Sequence, residues 1–320
     1  MKKWCVLSLL FFMVLSCSQA HKKEEEINKV KINSAFALFH GALFTASAQD
    51  LPTLKTDYPY MFPEGMSDEL VLERMKDSTQ QFLYKEVCKV YKDFEPKQKE
   101  IEYLFKHIKY YFNDFKAPIV VTDITGVSYQ NQVLYAEDLL LISLDMFLGK
   151  QHEVYGRYAK YLSENFTPEH MTTAIAKKII DTQYPETRAR TFLGQMIFEG
   201  KKAYLLDLFL PEVGDEIKLG YSPKKLAWAQ ANEFEVWAYF IKNEMLYANT
   251  NQLRQRFLDI APFSKFYTPM DRDSPGAIGK YTGLQLVRAY MKNNQVDVKT
   301  LLGLEAQSLL NASGYKPRKH

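Results

Sequence analysis

The sequence predicts an α+β protein that is predominantly helical, with a small sheet and many helices. Three observations lead to this class. Apolar side chains recur every three or four residues through most of the chain, which is the period of a helix buried on one face. Short β-branched segments cluster between residues 117 and 144, and these are typical of strands. Pro168, Pro223 and Pro275 each stand where a helical pattern begins, a position that tolerates proline.

The beginning of the chain has the pattern of a bacterial secretory signal. Two lysines precede an apolar run at residues 4–15, which is too short to span a bilayer. The Val-Leu-Ser-Cys motif at residues 14–17 resembles the lipobox of bacterial lipoproteins. This resemblance implies cleavage before Cys17, a diacylglycerol on its sulfur and an acyl chain such as palmitate on its amino group. The alternative is an ordinary signal cleavage nearby.

The organisation that follows has three parts. Residues 1–16 are predicted to be a lipoprotein signal peptide, residues 17–26 the lipidated cysteine with a charged tether, and residues 27–320 a single domain. Loss of the signal peptide removes two lysines, so the formal charge falls from +3 to +1. Because both signs are mixed along the chain, no basic stripe indicates nucleic-acid binding.

The cysteines predict no structural disulfide. Cys5 leaves with the signal peptide, and Cys17 is the predicted lipidation site. Cys88 is then the one remaining thiol, and a single thiol closes no intramolecular bridge. Its apolar neighbours predict a small buried side chain.

The elements of the domain follow from local patterns. Helices are assigned to segments with apolar residues at three- and four-residue spacing, strands to β-branched runs, and a loop to the segment with three prolines. In order, the predicted elements are a strand at 27–32, a helix at 35–48, a loop at 51–66, helices at 67–91 and 96–113, strands at 117–125, 132–135 and 139–144, and helices at 153–163, 168–182, 186–210, 223–247, 276–292 and 298–310.

The segment 192–211 is the most unusual helix, because it is apolar on nearly every side. A helix of this kind belongs in a core, where each face needs a partner. Its single acid in the first half, Glu199, must then be paired, hydrogen-bonded, metal-bound or neutral. Lys201 and Lys202 follow directly and are candidate partners. Glu199 is therefore the candidate buried functional acid.

A second unusual feature is a run of glycines near the end of the chain. Gly276, Gly279 and Gly283 are spaced by three and four residues, which exposes the backbone on one side of a helix. The pattern is not a phosphate loop, because only two residues separate the first two glycines and Tyr281 follows Lys280. Close helix packing is favoured over ligand binding.

The motifs of common hydrolases are missing. Zinc peptidases place two histidines four residues apart on a helix with a glutamate after the first. His152 is followed by glutamate, but Gly156 stands where the second histidine belongs, and His107 and His170 also lack a partner. No Gly-x-Ser-x-Gly elbow is present. The sequence therefore predicts no catalytic residue, no metal site and no cofactor.

Two uses of carboxylates stay open. The two acids of a glycoside hydrolase have no characteristic spacing in the sequence, because the fold sets the distance between them. The sequence therefore leaves this possibility open. Glu233 and Glu235 lie near Trp228 and Trp237 in an aromatic helix. Sugar binding is one interpretation of this segment, and helix packing is the favoured one.

Several segments together resemble the gliding motility-associated lipoprotein GldB family of the Bacteroidetes. No single motif is specific, but the combination covers most of the mature chain. The segments are HIKYYF at 107–112, PIVVT at 118–122, LDMFLG at 144–149, FEGK at 198–201 and the stretch 274–290.

That family is also similar to predicted zinc-dependent peptidases, in which a metal-binding helix precedes a helix with a glutamate followed by glycine. On this comparison the metal helix falls at residues 171–181 and Glu199 matches the later glutamate. Because the histidines are missing, the resemblance implies a zincin-like scaffold with a degenerate metal site. The protein would then be a pseudoenzyme in which Glu199 is vestigial or structural.

The resemblance implies a non-catalytic lipoprotein of the bacterial cell envelope, either periplasm-facing or in the outer membrane. It would be anchored to the membrane through Cys17, required for gliding motility and linked to the associated secretion machinery, with other proteins of that machinery as partners. Two alternatives stay open: an envelope metallopeptidase-like hydrolase and a glycan-binding module.

Overall fold

The computed structural model describes residues 22–136, 138–185 and 189–319. Its strands are β1 (Ala35–Ala37), β2 (Ile119–Asp123), β3 (Val133–Ala136) and β4 (Leu139–Ser143). Its helices are α1 (22–28), α2 (Phe39–Thr45), α3 (Leu51–Asp57), α4 (Asp68–Lys76), α5 (Ser78–Val90), α6 (Glu95–Tyr111), α7 (Lys160–Ser163), α8 (Pro168–Gln183), α9 (Phe192–Phe209), α10 (Asp215–Leu219), α11 (Pro223–Ala231), α12 (Glu233–Lys242), α13 (Asn251–Phe257), α14 (Ile278–Asn293), α15 (Val298–Gly303) and α16 (Ala306–Ser313). The predicted α+β class with a small sheet and many helices is confirmed.

The described strands form one mixed sheet in the order β1-β2-β4-β3. β1, β2 and β4 are parallel, and β3 returns antiparallel beside β4 as a hairpin. In the register, Val121 lies between Ala37 and Leu141. Val120 and Val121 are both fully buried, so β2 is covered on both faces, as expected of a continuous β-branched run. The three strands predicted between residues 117 and 144 are confirmed as β2, β3 and β4.

The first part of the domain differs from the prediction. The strand predicted at 27–32 is wrong: α1 extends to residue 28 and buries Ile27. The first strand is instead β1, inside the predicted helix 35–48. Three residues are too few for a period to distinguish helix from strand, and pairing with β2 decides the conformation.

Two of the long predicted helices are divided, one of them by a side-chain cap. The helix predicted at 67–91 breaks at Asp77, whose carboxylate accepts a hydrogen bond from the Gln80 amide and so begins α5. The loop predicted at 51–66 is wrong in its first half, because Pro52 lies in the first turn of α3 rather than ending a helix. The helix predicted at 223–247 is likewise divided into α11 and α12 at Asn232.

Helix α9 connects two clusters of buried apolar side chains. Its first half, with Phe192 and Met196, packs into a cluster with residues of α12, α13 and α14. Its second half, with Leu205 and Phe209, packs into the cluster that surrounds the sheet together with residues of α2, α5, α6 and α8. The prediction that this helix is buried on nearly every side is confirmed, and the physical reason is that it has a core at each end.

Helices α9 and α14 approach each other at glycines. A Cβ atom on Gly283 would lie 1.9 Å from the carbonyl oxygen of Met196, and one on Gly200 would lie 2.3 Å from the carbonyl of Gly283. A Cβ atom on Gly276 would likewise lie 1.8 Å from the carbonyl oxygen of Ala261. The predicted role of the glycine run in close packing is confirmed. None of the helices in the described ranges is long and apolar enough to cross a membrane.

We predict that Gly283→Ala destabilises the protein by at least about 2 kcal/mol, because the new methyl group overlaps the backbone of α9. Urea unfolding measures the change. Gly41→Ala is the matched control, since it adds a methyl group in α2 where no atom lies within 4 Å. It should leave the free energy of unfolding unchanged or raise it by up to about 1 kcal/mol. Equal effects of the two substitutions would contradict the packing argument.

Candidate functional site

Glu199 lines a cavity with a volume of about 660 Å³. The cavity lies between α8, α9, the beginning of α14 and the segment that joins α10 to α11. Its polar lining side chains from the three long helices include Thr173, Lys177, Asp181, Glu199, Lys202 and Lys280.

Glu199 is buried and held by two ammonium groups. Its carboxylate lies 2.9 Å from Lys280 Nζ and 3.7 Å from Lys202 Nζ, and its exposed fraction is 8%. Burial alone would raise the pKa of this carboxyl, but the charges of Lys280 and Lys202 outweigh burial and lower it. Glu199 is therefore ionised at neutral pH.

One of the two predicted partners of Glu199 is correct. Lys202 is confirmed, but Lys201 is wrong: its ammonium donates to the carbonyl oxygens of Leu302 and Leu304, at 3.1 and 2.6 Å. One residue along a helix is a turn of about 100°, so neighbouring lysines face different elements. The closest partner, Lys280, comes from α14.

The glycine contact explains why Lys280 reaches Glu199. Gly200 follows Glu199 directly, and its contact with Gly283 places the beginning of α14 beside the first half of α9. Lys280 precedes Gly283 by three residues, which puts it on the same side of α14. The ion pair therefore depends on a backbone contact between two helices.

Lys177 lies in the same cavity without an ion-pair partner. No carboxylate of the described chain is within 4 Å of its ammonium group, and Asp181 on its own helix is bound by Lys202. Protein atoms enclose most of the side chain, while the cavity leaves part of it in contact with water. Burial, together with the positive charges of Lys280 and Lys202, lowers the pKa of Lys177 to about 8.

Thr173 precedes Lys177 by one helical turn and also lines the cavity. Its exposed fraction is 2%, and its hydroxyl has no hydrogen-bond partner among the described residues. Buried hydroxyls are almost always bonded, so the unpaired hydroxyl of Thr173 is an exception to the usual pattern. The sequence analysis missed both residues. The signal available was weak, because Thr173 and Lys177 lie four apart on a helix that carries several other polar residues.

The helix predicted to correspond to a metal-binding helix, residues 171–181, lies within α8 and faces the same cavity as Glu199. Thr173 and Lys177 occupy the positions one turn apart that face the cavity. Neither a threonine hydroxyl nor a protonated ammonium is a usual zinc ligand. Within the described ranges, no group of three or more His, Cys, Asp or Glu side chains is placed to hold a metal ion.

The histidines have separate positions and local partners. His170 Nδ1 lies 2.8 Å from Thr167 Oγ1, and burial lowers the pKa of His170 to about 4, so its ring is neutral. His107 Nδ1 lies 2.8 Å from the carbonyl oxygen of Leu208. His152 Nε2 lies 3.3 Å from Glu86. These contacts hold helices and turns together.

The acid-and-tryptophan segment is a packing feature. Glu233 is buried and accepts hydrogen bonds from the hydroxyls of Tyr281 and Tyr315, at 3.1 and 3.0 Å. Trp237 packs edge-on against Tyr315. Glu235 is exposed on the other side of the turn. The packing interpretation of this segment is the one that the contacts support.

Two aspartates meet at the carboxyl ends of the parallel strands. Asp123 accepts a hydrogen bond from Arg74 at 2.6 Å, and Asp145 accepts bonds from the amides of Thr125 and Val127 at 3.1 and 2.5 Å. Burial raises the pKa of both carboxyls. Asp145 therefore binds the loop after β2, and Asp123 binds Arg74 of α4. Both carboxylates are engaged in holding the fold and do not form a pair that is free for catalysis.

The single cysteine of the body, Cys88, is half-buried on α5 rather than fully buried as predicted. Cys17 lies outside the described residues.

We predict that Glu199→Gln lowers the free energy of unfolding at pH 7 by about 2 kcal/mol, because it removes the negative charge that compensates the ammonium groups of Lys280 and Lys202. The value is reduced from that of a fully buried pair because Lys280 is partly exposed. Since the folded pKa of Glu199 is lowered, its contribution is present above its unfolded pKa of 4.5 and disappears as the pH falls through the folded value. Urea unfolding between pH 3 and 7 measures this.

The control for that substitution is Glu235→Gln, which changes an exposed glutamate with no ion pair in the described chain. It should leave stability unchanged at every pH. A destabilisation by Glu199→Gln that persists undiminished at pH 3 would show that the charge of Glu199 is not its source.

We predict that Lys177→Met is at least as stable as the original chain at pH 7. Because the folded pKa of Lys177 is about 8 and its unfolded value is 10.5, the charged side chain costs stability below pH 8. That cost disappears as the pH rises from about 8 to 10.5, so the difference between the two proteins should shrink over this interval. A loss of stability at pH 7 that grows with pH would contradict the assignment.

Comparison with known proteins gives one result that covers nearly the whole chain. The sequence model of the family described as gliding motility protein GldB matches residues 20–317. No curated protein and no solved structure matches the chain, so no match supports the zincin-like scaffold or the similarity to zinc peptidases. The match covers every described element from α1 to α16. The chain belongs to the GldB family of gliding motility proteins.

Proposed function

We propose that this protein is a lipid-anchored, non-catalytic component of the cell-envelope machinery that drives gliding, and that it also serves the associated protein secretion machinery. The observation that carries the proposal is the family match over residues 20–317, because membership of this family implies a part in gliding motility. The proposed membrane anchor depends on Cys17. The proposed lack of catalysis depends on the hydrogen bonds and ion pairs of the candidate acids.

The support for the anchor is the lipobox-like motif at residues 14–17 followed closely by folded chain. Residues 22–26, predicted as part of the tether, lie in α1 and contact α6. The hydroxyls of Tyr103 and Tyr110 donate to Glu24 and Glu26, at 2.8 and 3.0 Å. Helix α1, described from residue 22, five positions after the proposed lipid, is thus already packed against the domain. We place it in the cell envelope, periplasm-facing or in the outer membrane.

The support for a non-catalytic role is that the candidate acids are already bonded. Glu199 is ionised between two lysines, which removes the raised pKa that a general acid needs. Glu233 is engaged by two tyrosines. The proton-donating acid of a paired-acid glycosidase would need a carboxyl that is protonated near neutral pH, which Glu199 is not. An envelope metallopeptidase-like hydrolase would need a set of metal ligands, and none is placed together in the described ranges. Interaction with other proteins of the gliding machinery is the favoured role.

We predict that Cys17→Ser moves the protein from the membrane fraction to the soluble fraction and abolishes labelling by a palmitate analogue. One acyl chain gives only weak membrane binding, whereas two or more anchor stably, so loss of the modified cysteine removes the attachment. Cys88→Ser is the matched control and should stay labelled and membrane-bound. A Cys17→Ser protein that remains in the membrane fraction would show that the anchor is elsewhere.

Deletion of the gene should abolish surface spreading and reduce secretion in an organism that does both. Complementation with the original gene should restore both, and the Cys17→Ser variant should restore neither. Normal spreading and secretion in the deletion strain would contradict the proposed function. Restoration by Cys17→Ser would separate the motility role from the anchor.

A further inference from the structure

The cavity beside Glu199 carries more positive than negative charge. Six lysines and three acids line it, so an excess of ammonium groups faces one enclosed volume. Most of these lysines already have partners. Lys202 and Lys280 bind Glu199, Lys218 binds Asp207 at 3.1 Å, and Lys225 donates to two backbone carbonyl oxygens of the segment before α14.

Two lysines of the lining are left. Lys160 is exposed at the surface, where water solvates its charge. Lys177 is mostly enclosed, and no acid in the described ranges lies within 4 Å of its ammonium group. The acid whose charge acts on it is Asp181, which is bound by Lys202. One ammonium group inside the cavity therefore lacks a counter-charge.

The beginning of α14 adds a further feature that suits an anion. The sixteen-residue helix α14 begins at the cavity, with Gly276 and Ala277 in the lining, and no acidic side chain lies in its first turn. The amino-terminal end of a helix attracts negative charge.

The remaining wall is largely apolar and aromatic. Phe166, Leu206, Leu219, Tyr221 and Ile260 contribute to it. A volume of about 660 Å³ is in the range of cavities that hold small organic molecules. A positive charge without an ion-pair partner in a largely apolar lining is suited to a molecule with one negative group and an apolar body.

We propose that this cavity binds a small monocarboxylate with an apolar body, with its carboxylate held by Lys177 at the beginning of α14. A free aliphatic acid and the carboxyl terminus of an apolar peptide share this chemistry. Binding compensates Lys177 without displacing Glu199 from Lys280. The inference rests on the cavity alone and does not depend on the lipid anchor or on the motility role.

The test is calorimetric titration of the full-length protein in a non-ionic detergent with hexanoate and, separately, hexanamide. Hexanoate should bind, and hexanamide, which has the same shape without the charge, should bind at least about tenfold more weakly, because a charge-assisted bond to Lys177 is lost. The peptide Ala-Leu-Phe with a free carboxylate and with a carboxamide end forms the second arm. Tighter binding of the peptide acid than of hexanoate would identify the carboxyl terminus of a polypeptide as the ligand. Tighter binding of hexanoate would identify a free aliphatic acid.

Lys177→Met should weaken hexanoate binding at least about tenfold, whereas Lys178→Met, which removes the neighbouring charge outside the cavity lining, should not change it. NMR of ¹³C-dimethylated lysines in the unmutated protein gives a second readout that needs no variant. The signal of Lys177 should shift on addition of hexanoate, and that of Lys178 should not. Equal binding of hexanoate and hexanamide, equal effects of the two substitutions, or no binding of either carboxylate would overturn the proposal.

Discussion

The contact between Gly200 on α9 and Gly283 on α14 is the constraint on which the rest of the site depends. Side chains at either position would separate the two helices, since a Cβ atom on Gly283 has only 1.9 Å to the backbone of α9. Helix α9 in turn connects the two apolar clusters, so the position of α14 is set relative to the sheet as well. Without this approach, Lys280 would not reach Glu199, and the cavity would lose one of its walls.

The contrast between Lys177 and Glu199 shows two uses of buried charge. Glu199 has its counter-charges supplied by the fold, and ionisation costs the protein little. Lys177 is charged at a cost, because burial and two neighbouring ammonium groups both oppose its protonation. Groups that are unfavourable for folding are expected where binding needs them. This is the physical reason to look for function at Lys177 rather than at the acid that first drew attention.

The sequence was sufficient for elements with a strong local signal. The β-branched runs that became β2 and β4, and the long apolar periods of α8, α9 and α14, were predicted at nearly their observed bounds. The three-residue strand β1 was not, because its conformation comes from pairing with β2 rather than from its own residues. The burial of Glu199 was predicted from the apolar helix around it. Its partner Lys280 was not, since a contact over so many residues is set by how two helices meet.

If Cys17 carries the lipid, as proposed, the position of α1 would limit how far the folded domain can move from a membrane. Residue 22, the first described residue of α1, follows Cys17 by five positions, and a chain of five residues spans at most about 17 Å. That distance is shorter than the diameter of the folded body. Since α1 is bonded to α6 through Tyr103 and Tyr110, such an anchor would hold the face that carries these helices towards the bilayer. Partner proteins would then meet this protein within the layer next to the lipid headgroups, and with a restricted set of orientations.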